Sequence, residues 1–138
     1  MLEIKLESNG MLFRVGCWLC EHSFRLDVLV AIPYIDGEKK GFLCERCLEQ
    51  GPEGIRKALL DRAAHLREWT ETVVEDMLRE AAYYEQQAGA ANIPDSIVAD
   101  YQAISAAIEK EAEREGSGFS TGEWFEIVER IIENNNRR

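Results

Sequence analysis

Histidine is almost missing from this sequence. His22 and His65 are the whole supply, and neither sits in a motif with a nucleophile. No glycine-rich phosphate loop is present. The clustered carboxylates Glu109, Glu111, Glu113 and Glu115 run along a helical pattern as a solvated surface, whereas paired acid–base chemistry needs a pocket. These absences predict a chain that is not an enzyme. Long apolar runs are missing too. The longest, Val28 to Ile35, is far short of the roughly 20 residues that span a bilayer. The opening MLEIKLESNG lacks a basic region followed by an apolar stretch, so no secretory leader is expected and a reducing cytoplasm is the expected compartment. Proline is scarce at three residues, and no repeat recurs at a solenoid period. With 46% hydrophobic and 30% charged residues, the composition is that of a globular chain.

Positive charge is scarce in one half only. Residues 1–68 carry ten Lys and Arg against eleven Asp and Glu, a net of −1; residues 69–138 carry six against fifteen, a net of −9. Such an acidic half repels phosphate backbones and suits a protein partner with a basic surface. The candidate cations for nucleic-acid contact, Arg14, Arg25, Lys39, Lys40, Arg46, Arg56, Lys57, Arg62 and Arg67, all lie in the first half, interleaved with acids in nearly equal number, slightly more of them than of the cations. A dedicated nucleic-acid binder shows a clear basic excess.

Cysteine is what the sequence has in a pattern. Cys17 and Cys20 are separated by two residues, as are Cys44 and Cys47, with 23 residues between the pairs. A two-residue gap lets both thiolates of a pair reach one ion at about 2.3 Å, and two pairs complete a tetrahedron. All four cysteines are then used, and four protein ligands leave no position for substrate or water, which marks a structural site. One structural Zn2+ is the expected cofactor, with iron in the same ligand set left open. A reducing compartment disfavours disulfides, and two pairs at metal spacing disfavour a redox pair. His22, two residues past Cys20, and His65 are read as ordinary histidines.

The rest of the chain reads as α+β. Residues 2–7 alternate as a strand, and Asn9-Gly10 predicts a hairpin returning through Met11 to Val15. Phe24, Leu26, Val28, Val30 and Ile32 share one face of a second strand, with Pro33 suggesting an edge or an end and Asp36-Gly37 a turn. Gly51-Pro52 breaks the path after Cys47. From Pro52 to Ala88 one apolar stripe, Leu59, Ala63, Leu66, Thr70, Val73, Met77, Ala81, Tyr84 and Ala88, predicts a long helix. Unbroken, it would reach roughly 54 Å; the pattern leaves a hairpin open. Helices over 95–115 (Ile97, Tyr101, Ile104, Ile108) and 120–134 (Trp124, Val128, Ile131, Ile132) follow, the last with a Ser120–Glu123 capping box and a Phe119–Trp124 staple. Asn134 to Arg138 reads as a frayed tail. The expected organisation is thus a β-rich zinc-binding module over 1–51 and an acidic helical region over 52–138.

Residues 11–52 resemble the two-knuckle zinc fingers. Zinc-ribbon knuckles place glycine after the second cysteine of each pair, where this sequence has Glu21 and Leu48. Treble-clef fingers start a helix at the second pair, and Leu48-Glu49-Gln50 fits that better. Nucleases of the treble-clef kind need an added histidine pair, which is missing here. The resemblance implies metal binding but no single function, since the scaffold serves nucleic-acid binders and protein adaptors alike. The expected function is a non-catalytic zinc-binding adaptor or regulatory protein acting on a protein partner, with self-association through the long helix as one route. A nucleic-acid-binding finger is a second reading. A third is an acidic inhibitor that mimics nucleic acid and blocks a basic partner, as phage and mobile-element proteins do.

Overall fold

The structure is a computed structural model that describes residues 1–68, 75–115 and 121–137. In chain order the elements are β1 (Leu2–Ser8), β2 (Arg14–Gly16), β3 (Ser23–Arg25), β4 (Leu29–Ile35), β5 (Glu38–Lys39), α1 (Glu45–Leu48), α2 (Gly51–Glu68), α3 (Glu75–Ala90), α4 (Ile97–Glu115) and α5 (Thr121–Asn136). A small antiparallel β section followed by helices is the α+β architecture expected. The strands form a three-stranded sheet of order β1-β4-β5 and a separate β2-β3 ribbon.

Strand pairing departs from the local signals. Asn9-Gly10 does not close a hairpin. β1 pairs along its whole length with β4, from Leu2 opposite Ile35 to Ser8 opposite Leu29, and β2 pairs with β3. The reason is burial on both faces of β4, which β1 completes by adding Leu2 and Ile4 to the core. Asn9 becomes a buried junction instead. Its side-chain amide donates to the carbonyls of Met11 and Asp27, and its backbone N–H donates to Val28. A buried amide is tolerated when its donors are matched in this way.

The strand expected across residues 24–32 is broken between β3 and β4. Leu26, Val30 and Ile32 do share one face, packed with Val15, Phe24 and Phe42, but Val28 joins Leu29 under the last two helices. Pro33 lies in the middle of the central strand, not at an edge. Its carbonyl accepts the Lys40 N–H on the β5 side, while Ile4 faces it across β1. Backbone N–H and C=O of one strand residue point the same way. The proline therefore withholds a donor from the sparsely paired β5 side and costs β1 nothing. Asp36 (φ 52°) and Gly37 (φ 82°) make the expected turn, both in the left-handed region that a two-residue hairpin favours.

Residues 52–88 do not form one rod. α2 and α3 lie side by side, and Arg67 Nε sits 2.8 Å from Glu85 Oε1. On a straight helix those 18 positions would be about 27 Å apart. The stripe has folded onto itself: Leu59, Ala63, Ala81, Tyr84 and Ala88 are all buried in one cluster. Burying apolar area within the chain wins over leaving it in water. Thr70 and Val73 lie outside the described residues, as do Gly116-Ser117-Gly118, Phe119 and Ser120. The final helix runs through Asn136 where a frayed tail was expected, and Asn135 Nδ2 donates to Asp100 Oδ1 at 3.2 Å.

Packing does not pause at residue 51. One core runs from Leu2 and Ile4 through Leu43, the cysteines and Leu48 to Ile55, Leu59, Tyr84 and Ile97. A second cluster sets Leu29 against Ile104 of α4 and Val128 of α5. Leu59→Ala should therefore lower stability by about 2–5 kcal/mol in urea unfolding, the usual range for a core leucine. Its neighbour Leu60, 49% exposed, should change by less than about 0.5 kcal/mol when cut to alanine. Equal small effects at both positions would mean that the stripe is open.

Candidate metal centre

Two different local structures deliver the sulfurs. Cys17 follows β2, and the chain doubles back through Cys20 because the Cys17 N–H donates to the His22 carbonyl and the Glu21 N–H to the Cys17 carbonyl, both at 2.9 Å. That turn needs a left-handed residue after Cys20, and Glu21 supplies it at φ 65° in place of glycine. Such a conformation costs a non-glycine residue about 1–3 kcal/mol, so its surroundings must hold it. The second pair starts a helix. Cys44 caps α1 in extended conformation (φ −73°, ψ 156°), and Cys47 lies inside its single turn. Leu43 N–H to the Ala31 carbonyl and Trp18 N–H to the Phe42 carbonyl bring the two pairs together.

The four sulfurs of Cys17, Cys20, Cys44 and Cys47 all lie within 4.8 Å of one another. Cys17 to Cys47 and Cys20 to Cys44 are each 3.8 Å. A tetrahedron with metal–sulfur arms of about 2.3 Å has edges of about 3.8 Å, so the spacing fits one soft four-coordinate ion. It is far longer than a disulfide bond of about 2.05 Å. Three of the cysteines are buried and Cys20 is partly so. The four cysteines named from the sequence are thus the four brought together. Neither His22 nor His65 belongs to this group. His22 contributes only its backbone carbonyl to the turn, and His65 lines a hollow beside Cys20 and Cys47.

Electrostatics explain why a cation belongs there. Burial pushes the Cys47 thiol up strongly, reinforced by Cys44 and by charge on Cys17, and burial also raises Cys44. Burial acts upward on Cys17 as well, but backbone hydrogen bonds from Cys20, Cys44 and Leu19 outweigh it and hold this thiol below its ordinary value. Burial and neighbouring groups thus oppose ionising Cys44 and Cys47 together. Only a bound cation makes four thiolates compatible at this spacing.

Arg62 is marked by the sequence only as a candidate nucleic-acid contact. It proves to strap the first cysteine pair to α2. Its guanidinium donates to the Trp18 carbonyl at 2.6 Å and to Glu21 at 2.9 Å, and lies 4.6 Å from the centre of the Tyr84 ring. Tyr84 in turn meets Trp18 edge-on at 6.1 Å. No sequence signal marks this strap, because its partners are about forty residues away in one direction and about twenty in the other. Most of the other cations are engaged as well. Arg14 bonds Ser23, Lys40 pairs with Glu38, Arg56 with Glu53 and Arg67 with Glu85, while Lys39 lies over Phe42. Arg25 and Arg46 line a groove of about 450 Å³ together with Asp27, Glu45 and Glu49. There the Glu45 carboxyl is raised by burial and by the neighbouring charges of Glu49 and Asp27.

Comparison with protein-family models, curated protein sequences and solved structures returned no match. The case for this site rests on its own geometry. Metal binding must displace protons from the raised Cys44 and Cys47 thiols, so acid competes with the ion. Retention against a fixed chelator should be firm at pH 8 and fall steeply toward pH 5. Affinity flat across that range would argue against four thiolate ligands.

Proposed function

We propose that this chain is a non-catalytic zinc-binding adaptor or regulatory protein, with zinc as a folding ligand and a protein as its target. The observation that carries the reading is the closed four-cysteine cluster built into the core. Four protein ligands fill a tetrahedral ion and leave no place for water or substrate. Zinc, which has no redox chemistry, is the ion suited to a purely structural role. One pair in a turn from a β-ribbon and the other at a helix start resemble the treble-clef arrangement more than the zinc ribbon. The single-turn α1 and the break at Gly51 (φ 75°) are departures from it.

Two features favour a protein target over nucleic acid. The net charge is −10, and the cations near the cluster are largely paired with acids of the same chain. A basic protein surface is the complementary match. Self-association through the long stripe is the weaker route, because most of the stripe's described apolar residues (Leu59, Ala63, Leu66, Ala81, Tyr84 and Ala88) pack within the chain.

Elemental analysis of purified protein should find one zinc per chain, and Cys44→Ser should lose it together with near-ultraviolet circular dichroism. Structural zinc supplies about 10–16 kcal/mol in simple finger peptides at neutral pH, so the loss should loosen α2 and α3 as well as the strands. Fluorescence anisotropy against mixed DNA and RNA should stay flat. Salt-sensitive binding that Lys39, Lys40 and Arg46 substitutions weaken would replace this reading with the nucleic-acid one.

A further inference from the structure

The segment between β1 and β2 holds three large apolar side chains in water. Met11 is 50% exposed, Leu12 46% and Phe13 50%. Its backbone is fixed: Asn9 holds the Met11 carbonyl at one end, and the Leu26 N–H donates to the Phe13 carbonyl at 3.0 Å at the other. The main chain is turned inward and the side chains are held outward. Phe125 of α5, also among the exposed large apolar residues, adjoins this loop. A Cβ placed on Gly10 would lie 3.9 Å from its ring. Beside Phe125 is a groove of about 190 Å³ with Leu6 and Ile132 in its lining, and the charged groups lining it are Glu7, Glu129 and Glu133.

We propose that Met11, Leu12, Phe13 and Phe125 form a docking surface for a polypeptide that presents an apolar anchor flanked by lysine or arginine. This rests on the reading of the chain as a protein-binding adaptor and names the surface and the partner's chemistry. A fixed loop lowers the ordering cost of binding, because its conformation is set before the partner arrives. The charge around it chooses the occupant. A second copy would bring a further −10 and the same three carboxylates against their equals, and an anionic membrane is repelled for the same reason. A cationic polypeptide gains at both the apolar tip and the carboxylate rim.

The test uses the full zinc-loaded chain and a fluorescein-labelled amphipathic Leu/Lys dodecapeptide, with Leu/Glu and Ser/Lys dodecapeptides as controls. The Leu/Lys peptide should bind at least tenfold more tightly than either control. A Leu12→Ser, Phe13→Ser double variant should weaken it at least tenfold with zinc content and thermal midpoint unchanged, and Glu129→Gln with Glu133→Gln should flatten its salt dependence. Equal binding by the double variant, or equal binding of the Leu/Glu peptide, overturns the proposal. So does a dimer in sedimentation equilibrium, or binding to phosphatidylcholine vesicles, that the double variant abolishes. A specific protein retained equally by wild type and double variant would leave the adaptor reading intact and remove this surface. Nucleic-acid binding would remove the adaptor reading, and the peptide assay would still decide what the loop recognises.

Discussion

Four sulfurs within 4.8 Å of one another, most of them shielded from water, have the spacing of a four-coordinate ion site, and as thiolates they are compatible only around a cation. The first half of the chain is organised by that constraint. The β2-β3 ribbon supplies one pair and the start of α1 the other, and neither element is long enough to persist by itself. β2 and β3 have three residues each and α1 has four. Isolated helices and hairpins of that size are marginal in water. A metal that binds only the folded arrangement adds its binding energy directly to folding.

The same constraint reaches the helices, because the cysteines are part of the main core and not an appendage to it. Leu48 directly follows Cys47, and Leu43 directly precedes Cys44; both are buried with Ile55 and Leu59 of α2. Arg62 adds a polar link, joining α2 to the Trp18 carbonyl and to Glu21. Glu21 is also the residue in left-handed conformation, so the ion pair holds the one strained position of the turn. Its carboxylate is largely exposed, and the direct electrostatic gain is small. The strap acts mainly by geometry, through the part-buried carbonyl contact and the Tyr84 ring.

What could be read from the sequence was what is local. The cysteine spacing named the ligands, Asp36-Gly37 named its turn, and the Ile97–Ile108 and Trp124–Ile132 patterns placed α4 and α5 within two residues or so of their ends. What failed depended on distant partners. Asn9-Gly10 is a strong hairpin signal, yet β4, twenty residues on, offered β1 a full-length partner with both faces buried. Pro33 suggests an edge or an end, yet a proline in a central strand is harmless when its nitrogen faces the less-paired side. The stripe over 52–88 is the same for one long helix and for two helices folded together. Periodicity reports which face is apolar but not what covers it. The Arg62 strap left no trace at all, since an arginine on a helix surface looks alike whether it meets water or a carbonyl forty residues away.

The proposed docking loop and the cysteine cluster are neighbours along the chain, so an ion bound there would have a second consequence. Phe13 is followed directly by β2, and β2 ends at Gly16 beside Cys17. The loop's other anchors, the Asp27 carbonyl and the Leu26 N–H, lie just past β3, whose pairing with β2 brackets the first cysteine turn. Metal loss frees that turn, and the ribbon then has only three residue pairs to keep its register. The Phe13 end of the loop would loosen with it, while the Asn9 end continues β1, which pairs with β4 as far as Ser8 opposite Leu29. The apolar side chains would still be present but no longer pre-arranged, and a partner would have to supply the ordering free energy that a bound ion would otherwise provide. An ion held by the four cysteines would in this way set the shape of a surface some distance from its ligands.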